Sequence, residues 1–506
     1  MVSNPDFESS PAVRDVHRVL VLGGGSAALL AALTLKRLRP SLEVTLVKGP
    51  AEELPDEGTS PVIPAHLFET LGVAKDAFYR GAQPTWKYGT RFLWGPREDF
   101  LTDFEFQYDQ QFQGLPKANG YYATQDCSNL SQASALMARD LAFLTGPLGK
   151  PVIKGRFGFH LEHDHFLPCL ERLAVDAGVE MPEACFERAE CADGEITALI
   201  LQGGESLEAD LFVDASGAAS ELLGKALGEP FTPFAGSLRC DRAVIGSWSR
   251  TDEPIHPYTT IETMDHGWAW QVEHESTIRR GYVYGSDFVS DEEALAEFRA
   301  KNPGLGEDTR LVKFRSGRYQ RSWVGNVVAI GDASGFVEPL ACTALTQVVH
   351  ASRWLVESLR ITGSRPDATM RATFNRVMGA AWDEIRDLLA FHYKFNTRRA
   401  TPFWEQCREK TTLGSHESFY RLFSEVGPSP ALLAQVIPAR PHNHGVEAFL
   451  ELLVGMQVHY DRRHLGAPEE FEAFNRQRER ISNAVKGGIT VRQALDAIRK
   501  GGWQWS

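Results

Sequence analysis

The chain has 506 residues, a formal charge of −13, and 43% hydrophobic and 24% charged residues, enough for a large core and more than one folded unit. An acidic balance without any basic tract excludes nucleic acid and anionic lipid as expected partners, and no apolar run approaches a membrane span. Residues 1–16 are polar with no signal-peptide core, and the seven cysteines contain no C-x-x-C pair, which fits a reducing cytoplasm without structural disulfides or a metal site.

In chain order, Val19-Leu20-Val21-Leu22 predicts a short buried strand, Gly23-Gly24-Gly25 a sharp turn, and Ser26 the start of a helix with Ala28, Ala32 and Leu35 on one face. Glu43–Val47 supplies a second strand, completing a right-handed βαβ unit of the dinucleotide-binding kind. Gly23 and Gly25 let the backbone approach a pyrophosphate, Ser26 and Ala27 open the helix, and Ala28 fills the third small position. Lys48 ends the second strand, where an acidic residue usually holds the adenosine ribose.

Glu57-Gly58-Thr59-Ser60-Pro61 reads as a turn-rich loop leading into an amphipathic helix through His66 and Leu71. Thr85–Phe92 reads as one strand broken by a glycine, with Trp86 and Tyr88 on one face and Lys87 on the other; taken alone, Lys87 is a solvated strand lysine. Residues 96–125, rich in Phe, Tyr, Gln and Asp, predict a long aromatic loop over a site. His160, His163 and His165 match no zinc spacing and read as surface at a helix entry.

Ile196–Leu201 and Leu207–Val213 alternate as strands, the second running into Asp214-Ala215-Ser216-Gly217. Asp241–Trp248, Gly267–Val272 and Gly281–Tyr284 predict a second sheet, with Trp268 and Trp270 on one strand face, core by default and a suitable wall for a closed pocket. Gly325–Gly335 is again an apolar strand and a small-residue turn, here carrying Asp332, where an FAD ribityl chain would lie in a fold with two dinucleotide halves. Beyond Leu345 the periodicity is helical. The expected fold is α/β: an FAD-binding Rossmann-like domain over 17–97, 150–230 and 310–365, with an interleaved second sheet and a helical C-terminal substrate region in 98–149, 231–309 and 366–506.

Taken in order from about Val19 to about Trp404, these motifs resemble the flavin-dependent halogenases of the tryptophan-halogenase family. The resemblance rests on Gly23–Ala27, Glu57-Gly58-Thr59, Thr85-Trp86-Lys87-Tyr88-Gly89, Asp241-Arg242-Ala243-Val244, Trp268-x-Trp270, Gly281–Ser286, Gly331-Asp332 through Pro339-Leu340, and Thr401-Pro402-Phe403-Trp404. It implies FAD used as FADH2 from a separate flavin reductase, and chloride or bromide oxidised with oxygen to hypohalous acid that reaches an essential lysine near a small aromatic substrate. By motif position the lysine is Lys87, the halide meets backbone N–H groups at Thr343 and Ala344, and Glu57, Gly58, Leu340 and Leu345 join the cofactor contacts. A homodimer is compatible with it.

The chain departs from the family pattern at Val272-Glu273, where Ile-Pro is usual, at Ala344, usually Gly or Ser, and at Ala341, which holds the place of the catalytic glutamate. Without that carboxylate the oxidant is less activated, which points to an electron-rich, phenolic substrate; Val446–Val458 reads as an apolar helix without a clamp for an amino acid. The alternatives are a tryptophan or indole halogenase, a flavin-dependent aromatic monooxygenase, and a degenerate member that binds flavin or a partner without turnover.

Overall fold

A computed structural model describes residues 15–49, 57–105, 128–146, 149–437, 445–462, 467–500, 503 and 505. The first elements are β1 (Arg18–Leu22), α1 (Ser26–Leu38), β2 (Glu43–Val47), β3 (Glu57–Gly58), β4 (Thr85–Lys87), β5 (Gly89–Leu93) and β6 (Phe100–Asp103). The middle of the chain gives β7 (Gly158–Leu161), α2 (His163–Asp176), β8 (Leu211–Asp214), β9 (Arg242–Ser249), β10 (Tyr258–Met264), β11 (Gly267–Glu273) and β12 (Thr277–Tyr284). The last set is β13 (Arg310–Lys313), β14 (Trp323–Val324), β15 (Val327–Ala329), α3 (Ala344–Ile361), α4 (Ala368–Phe395) and α5 (Val446–Gly455).

Four buried apolar residues after Arg18 make β1 a strand covered on both faces, and it pairs in parallel with β2 on one side and β8 on the other. The sheet order is β2-β1-β8-β15-β14, with only β14 antiparallel to its neighbour. Helix α1 crosses between β1 and β2 and buries Leu29, Leu30, Leu33 and Leu35, each contributing about 1.5–3 kcal/mol. Neighbouring parallel strands β1, β8 and β15 thus end in three adjacent turns, at Gly23–Gly25, Ala215–Gly217 and Gly331–Ala333. That is the edge where open α/β sheets bind ligands.

The expected strand Leu207–Val213 is two pieces, because Ser206–Leu207 pairs with a separate hairpin while Leu211 enters the parallel sheet. Between them Asp210 turns its carboxylate onto the backbone N–H groups of His17 and Arg18, at 2.9 and 2.7 Å.

The second sheet has seven strands in the order β13-β9-β12-β11-β10-β5-β6, antiparallel except at β10 and β5. A smaller sheet, β3-β7-β4, is interleaved in sequence with the two large ones and carries Lys87. The expected single strand Thr85–Phe92 is therefore split: Thr85–Lys87 belong to the small sheet and Gly89–Leu93 to the seven-stranded one. Tyr88 donates its N–H to Pro257 O instead of to either ladder, and Gly89 is forced, since a Cβ there would lie 2.0 Å from Thr102 O.

His160 corrects the surface assignment, since it is fully buried on β7 opposite Thr85; the helix begins only at His163. Within residues 96–125, Phe100–Asp103 form the edge strand β6, and residues 106–125 lie outside the described residues. A second core of aromatic side chains, including Trp94, Phe391, Tyr393, Trp404 and Phe449, joins the seven-stranded sheet to α4, α5 and neighbouring C-terminal helices. Among the described residues no helix is long and apolar enough to cross a membrane.

Candidate functional site

A groove runs along the three turns, bordered by Gly23, Gly25, Ser26, Ala27, Asp332 and Leu345 among others. Gly23 has φ +149°, and a Cβ on it would lie 2.2 Å from Ala215 O and 2.9 Å from Ala28 Cβ. Ala28 is fully buried and serves this close approach of helix to turn. At Gly24 an added Cβ would meet nothing within 4 Å, so the turn faces open space. The N-cap of α1 is Gly25, with no side-chain hydrogen bond onto the helix start. Bare backbone, small side chains and an uncapped helix N-terminus suit the pyrophosphate of a dinucleotide such as FAD.

Asp214 does not serve the groove. Its carboxylate accepts from Ser216 Oγ at 2.5 Å and from the N–H groups of Leu222 and Leu223 at 2.8 Å, holding the second turn in shape. The Lys48 side chain is exposed and paired with Glu171 Oε1 at 2.9 Å.

A cavity of about 1080 Å³ lies on the other side of the start of α3. Leu340, Ala341, Cys342 and Thr343 border the cavity, while Ala344 and Leu345 border the groove. Thr343 is the N-cap of α3 and makes no side-chain cap bond, so the expected halide position coincides with a helix N-terminus at the seam of the two spaces.

Lys87, at the end of β4, borders the cavity yet is 0% exposed. Its Nζ donates to Cys342 Sγ at 2.5 Å and lies 5.8 Å from the centre of the Phe104 ring. A Cβ added at Gly58 would lie 3.4 Å from Cys342 Sγ and 3.6 Å from Lys87 Nζ, so Gly58 covers the lysine rather than the glycine turn. Behind Lys87, burial and then the lysine's own charge push His160 well below the ordinary imidazole value, leaving a neutral ring whose Nε2 bonds Thr259 Oγ1 at 2.8 Å.

Glu273 ties this corner together. Its carbonyl accepts from Thr85 Oγ1, and its carboxylate forms a buried pair with Arg250 Nη2 at 2.6 Å and accepts from Gln271 Nε2 at 2.8 Å. A glutamate where the family pattern has proline thus carries its own counter-ion.

Among the described residues, the nearest glutamate in sequence before Ala341 does not stand in for the missing carboxylate. Glu338, three residues earlier, is turned into the second core, where Trp268 Nε1 donates to it at 2.9 Å and the Tyr393 hydroxyl donates to the same oxygen. Trp268 and Trp270, expected as a pocket wall, belong to that core and do not border the cavity; Trp270 packs its ring on Gly281.

Burial pushes the Glu338 carboxyl up from 4.5 to about 7. The folded protein therefore holds this proton more tightly than the unfolded chain, so the stabilisation is complete below about pH 4.5 and is lost as pH rises through about 7. Across that window the group should cost about 3 kcal/mol of stability. Glu338→Gln should lack this slope, whatever its constant offset, in denaturant unfolding at pH 5 and pH 8; an unchanged slope would remove Glu338 from the account.

Sequence reasoning missed the acidic wall of the cavity. Glu451 on α5 is 3% exposed, its Oε2 accepts from the Asp103 N–H at 3.2 Å, and its Oε1 has no hydrogen-bond partner among the described residues. Burial first, then the charge of Asp103, holds its carboxyl well above the usual carboxylate range. Glu447 borders the same cavity, as do the basic residues Lys75, Lys154 and Arg156. The helix read as apolar thus places two carboxyl groups on the cavity wall. The available signal was Glu447 and Glu451 spaced i, i+4 in an otherwise apolar helix.

The sequence matches the tryptophan halogenase family over residues 18–467. It is 33% identical over 427 residues to a tryptophan 7-halogenase of Kutzneria sp. (strain 744), covering 78% of this chain and 79% of that protein. Among solved structures it resembles MibH, a lanthipeptide tryptophan 5-halogenase, with 31% identity, a TM-score of 0.86, and coverage of 98% of this chain and 95% of that one. It also resembles BrvH, a flavin-dependent halogenase from Brevundimonas sp. BAL3, with 26% identity, a TM-score of 0.84, and coverage of 96% and 99%.

Proposed function

The chain belongs to the tryptophan halogenase family, and from that premise we propose that it halogenates an indole, tryptophan or a tryptophan side chain, at the inner end of the cavity beside Lys87. It is a flavin-dependent halogenase, and the family brings with it FADH2, a halide, a separate flavin reductase and an aromatic substrate. Reduced FAD supplies the oxygen chemistry that turns chloride or bromide into hypohalous acid. In this reading the turns at Gly23 and Asp332 hold the dinucleotide, and the N–H groups at Thr343 and Ala344 hold the halide. Lys87 Nζ, shielded from water, donates a hydrogen bond to the oxidant or carries the halogen, and so sets it against the ring.

The observation that carries the substrate class is Glu451. A buried carboxyl oxygen that has no hydrogen-bond partner among the described residues, on a residue of the cavity wall, suits an ammonium donor, which a simple phenol lacks and tryptophan has. The characterised relatives act on tryptophan, which supports the indole over the phenolic substrate argued from Ala341. The resemblance to MibH, a lanthipeptide tryptophan 5-halogenase, supports a second reading in which the indole arrives on a larger molecule.

The test is competition between tryptophan, a short tryptophan-containing peptide and resorcinol, with bromide, FAD and a flavin reductase supplied. Halogenated indole should dominate, and product should require halide; preference for resorcinol would overturn the indole assignment. Glu451→Gln should raise KM for tryptophan about tenfold or more at pH 8, as for a lost charge-assisted hydrogen bond. Because the free carboxyl holds its proton unusually tightly, wild-type affinity for the ammonium should rise with pH, and the variant should lose that rise.

A further inference from the structure

The contact between Lys87 and Cys342 has a chemistry of its own, independent of halogenating a substrate. The two groups are held from different elements. Lys87 is fixed at the end of β4, and Cys342 sits at φ +55°, a left-handed conformation unusual for a side-chain-bearing residue, directly before the N-cap of α3. Nζ and Sγ are 2.5 Å apart, and Gly58 packs over both. Cys342 is a partly exposed residue on the cavity wall while Lys87 is fully buried, so the two groups meet where the cavity gives an oxidant access to Cys342.

We propose that Lys87 and Cys342 are a covalent modification site, in which hypohalous acid converts the pair to a sulfenamide. In the first step the thiol takes the halogen: R–SH and HOX give R–SX and water, the sulfur losing two electrons and the halogen gaining them. In the second, the amine displaces the halide: R–SX and R′–NH3+ give R–S–NH–R′, X− and two protons to solvent. Thiol oxidation products condense with a nearby nitrogen in this way when the nitrogen is already in place. A dithiol reverses the bond by attacking sulfur and releasing the amine. The consequence for activity rests on the proposed role of Lys87, since the linked lysine no longer has a free amine; the bond itself rests on the 2.5 Å contact alone.

The experiment treats the purified protein with one equivalent of hypochlorite and maps its peptides without reductant. A peptide joining residues 87 and 342, two hydrogens lighter than the sum of its parts, is expected, and dithiothreitol should remove it and restore halogenation. Cys342→Ser should give no such peptide, and its activity loss, measured against its own starting value, should not be recovered by dithiothreitol. Cys191→Ser, which changes an exposed cysteine, should still give the linked peptide. Recovery of Cys342 only as sulfinic or sulfonic acid beside an unmodified Lys87 peptide would overturn the proposal, as would a linked peptide carrying an added oxygen. Linkage in a protein whose Lys87→Ala variant still halogenates would sustain this site and sink the catalytic reading; no linkage alongside an inactive variant would do the reverse.

Discussion

Lys87→Ala is expected to lower halogenation by at least about 100-fold, the lower end of what a positioned proton donor contributes, while FAD affinity stays within about twofold. The separation follows from position: Lys87 borders the cavity, whereas the glycine turns and Asp332 border the groove beyond the start of α3. The variant should fold, because the substitution removes a buried cation that donates its hydrogen bond to the Cys342 thiol rather than to a buried carboxylate. Lys87→Arg should fail as well. A guanidinium is planar, bulkier and always charged, and its delocalised charge cannot carry a halogen as an amine does. The measurements are product mass spectrometry with reductase and bromide, and flavin fluorescence titration of each variant. Substantial halogenation by the alanine protein would take Lys87 out of the mechanism.

The βαβ unit was legible because its signals are local: an apolar run of strand length, a glycine turn, and a helix with small residues on its inner face. The same holds for Asp332, since a second apolar strand announces its turn. What is not local could not be read. Nothing in Thr85–Phe92 says that the chain changes sheets at Tyr88, because the change is set by Pro257 and by the ladder partners on β7 and β10. His160 looked like surface because its segment is polar, yet the small sheet buries it between Thr259 and Lys87. Trp268 and Trp270 read as core by default and as a pocket wall only second, and α4 completes that core by delivering Tyr393 against Trp268 at 2.8 Å. Glu451 escaped notice because the helix around it is apolar, although a carboxylate there is costly enough to need a purpose. Lys87 itself was a solvated lysine by pattern and became a candidate through the resemblance; its contact with Cys342 lies in neither.

Gly23→Ala is the complementary expected result: loss of FAD affinity by about 100-fold or more in a protein that still folds. The added Cβ would lie 2.2 Å from Ala215 O and 2.8 Å from Ala215 C, which are backbone atoms and cannot swing aside as a side chain would. The φ of +149° adds a conformational cost that an L-residue does not escape. One of the two turns must move to admit the methyl group, and both border the groove. Gly24→Ala separates this geometric cost from a general intolerance of the turn, since its Cβ would meet nothing within 4 Å of the protein. It should leave thermal unfolding unchanged and weaken FAD only as far as the methyl group crowds the cofactor. Circular dichroism checks that both variants are folded, and fluorescence titration ranks their flavin affinities against wild type and Lys87→Ala. If folded Gly23→Ala binds FAD like wild type, the groove at the ends of β1, β8 and β15 is not where the dinucleotide lies.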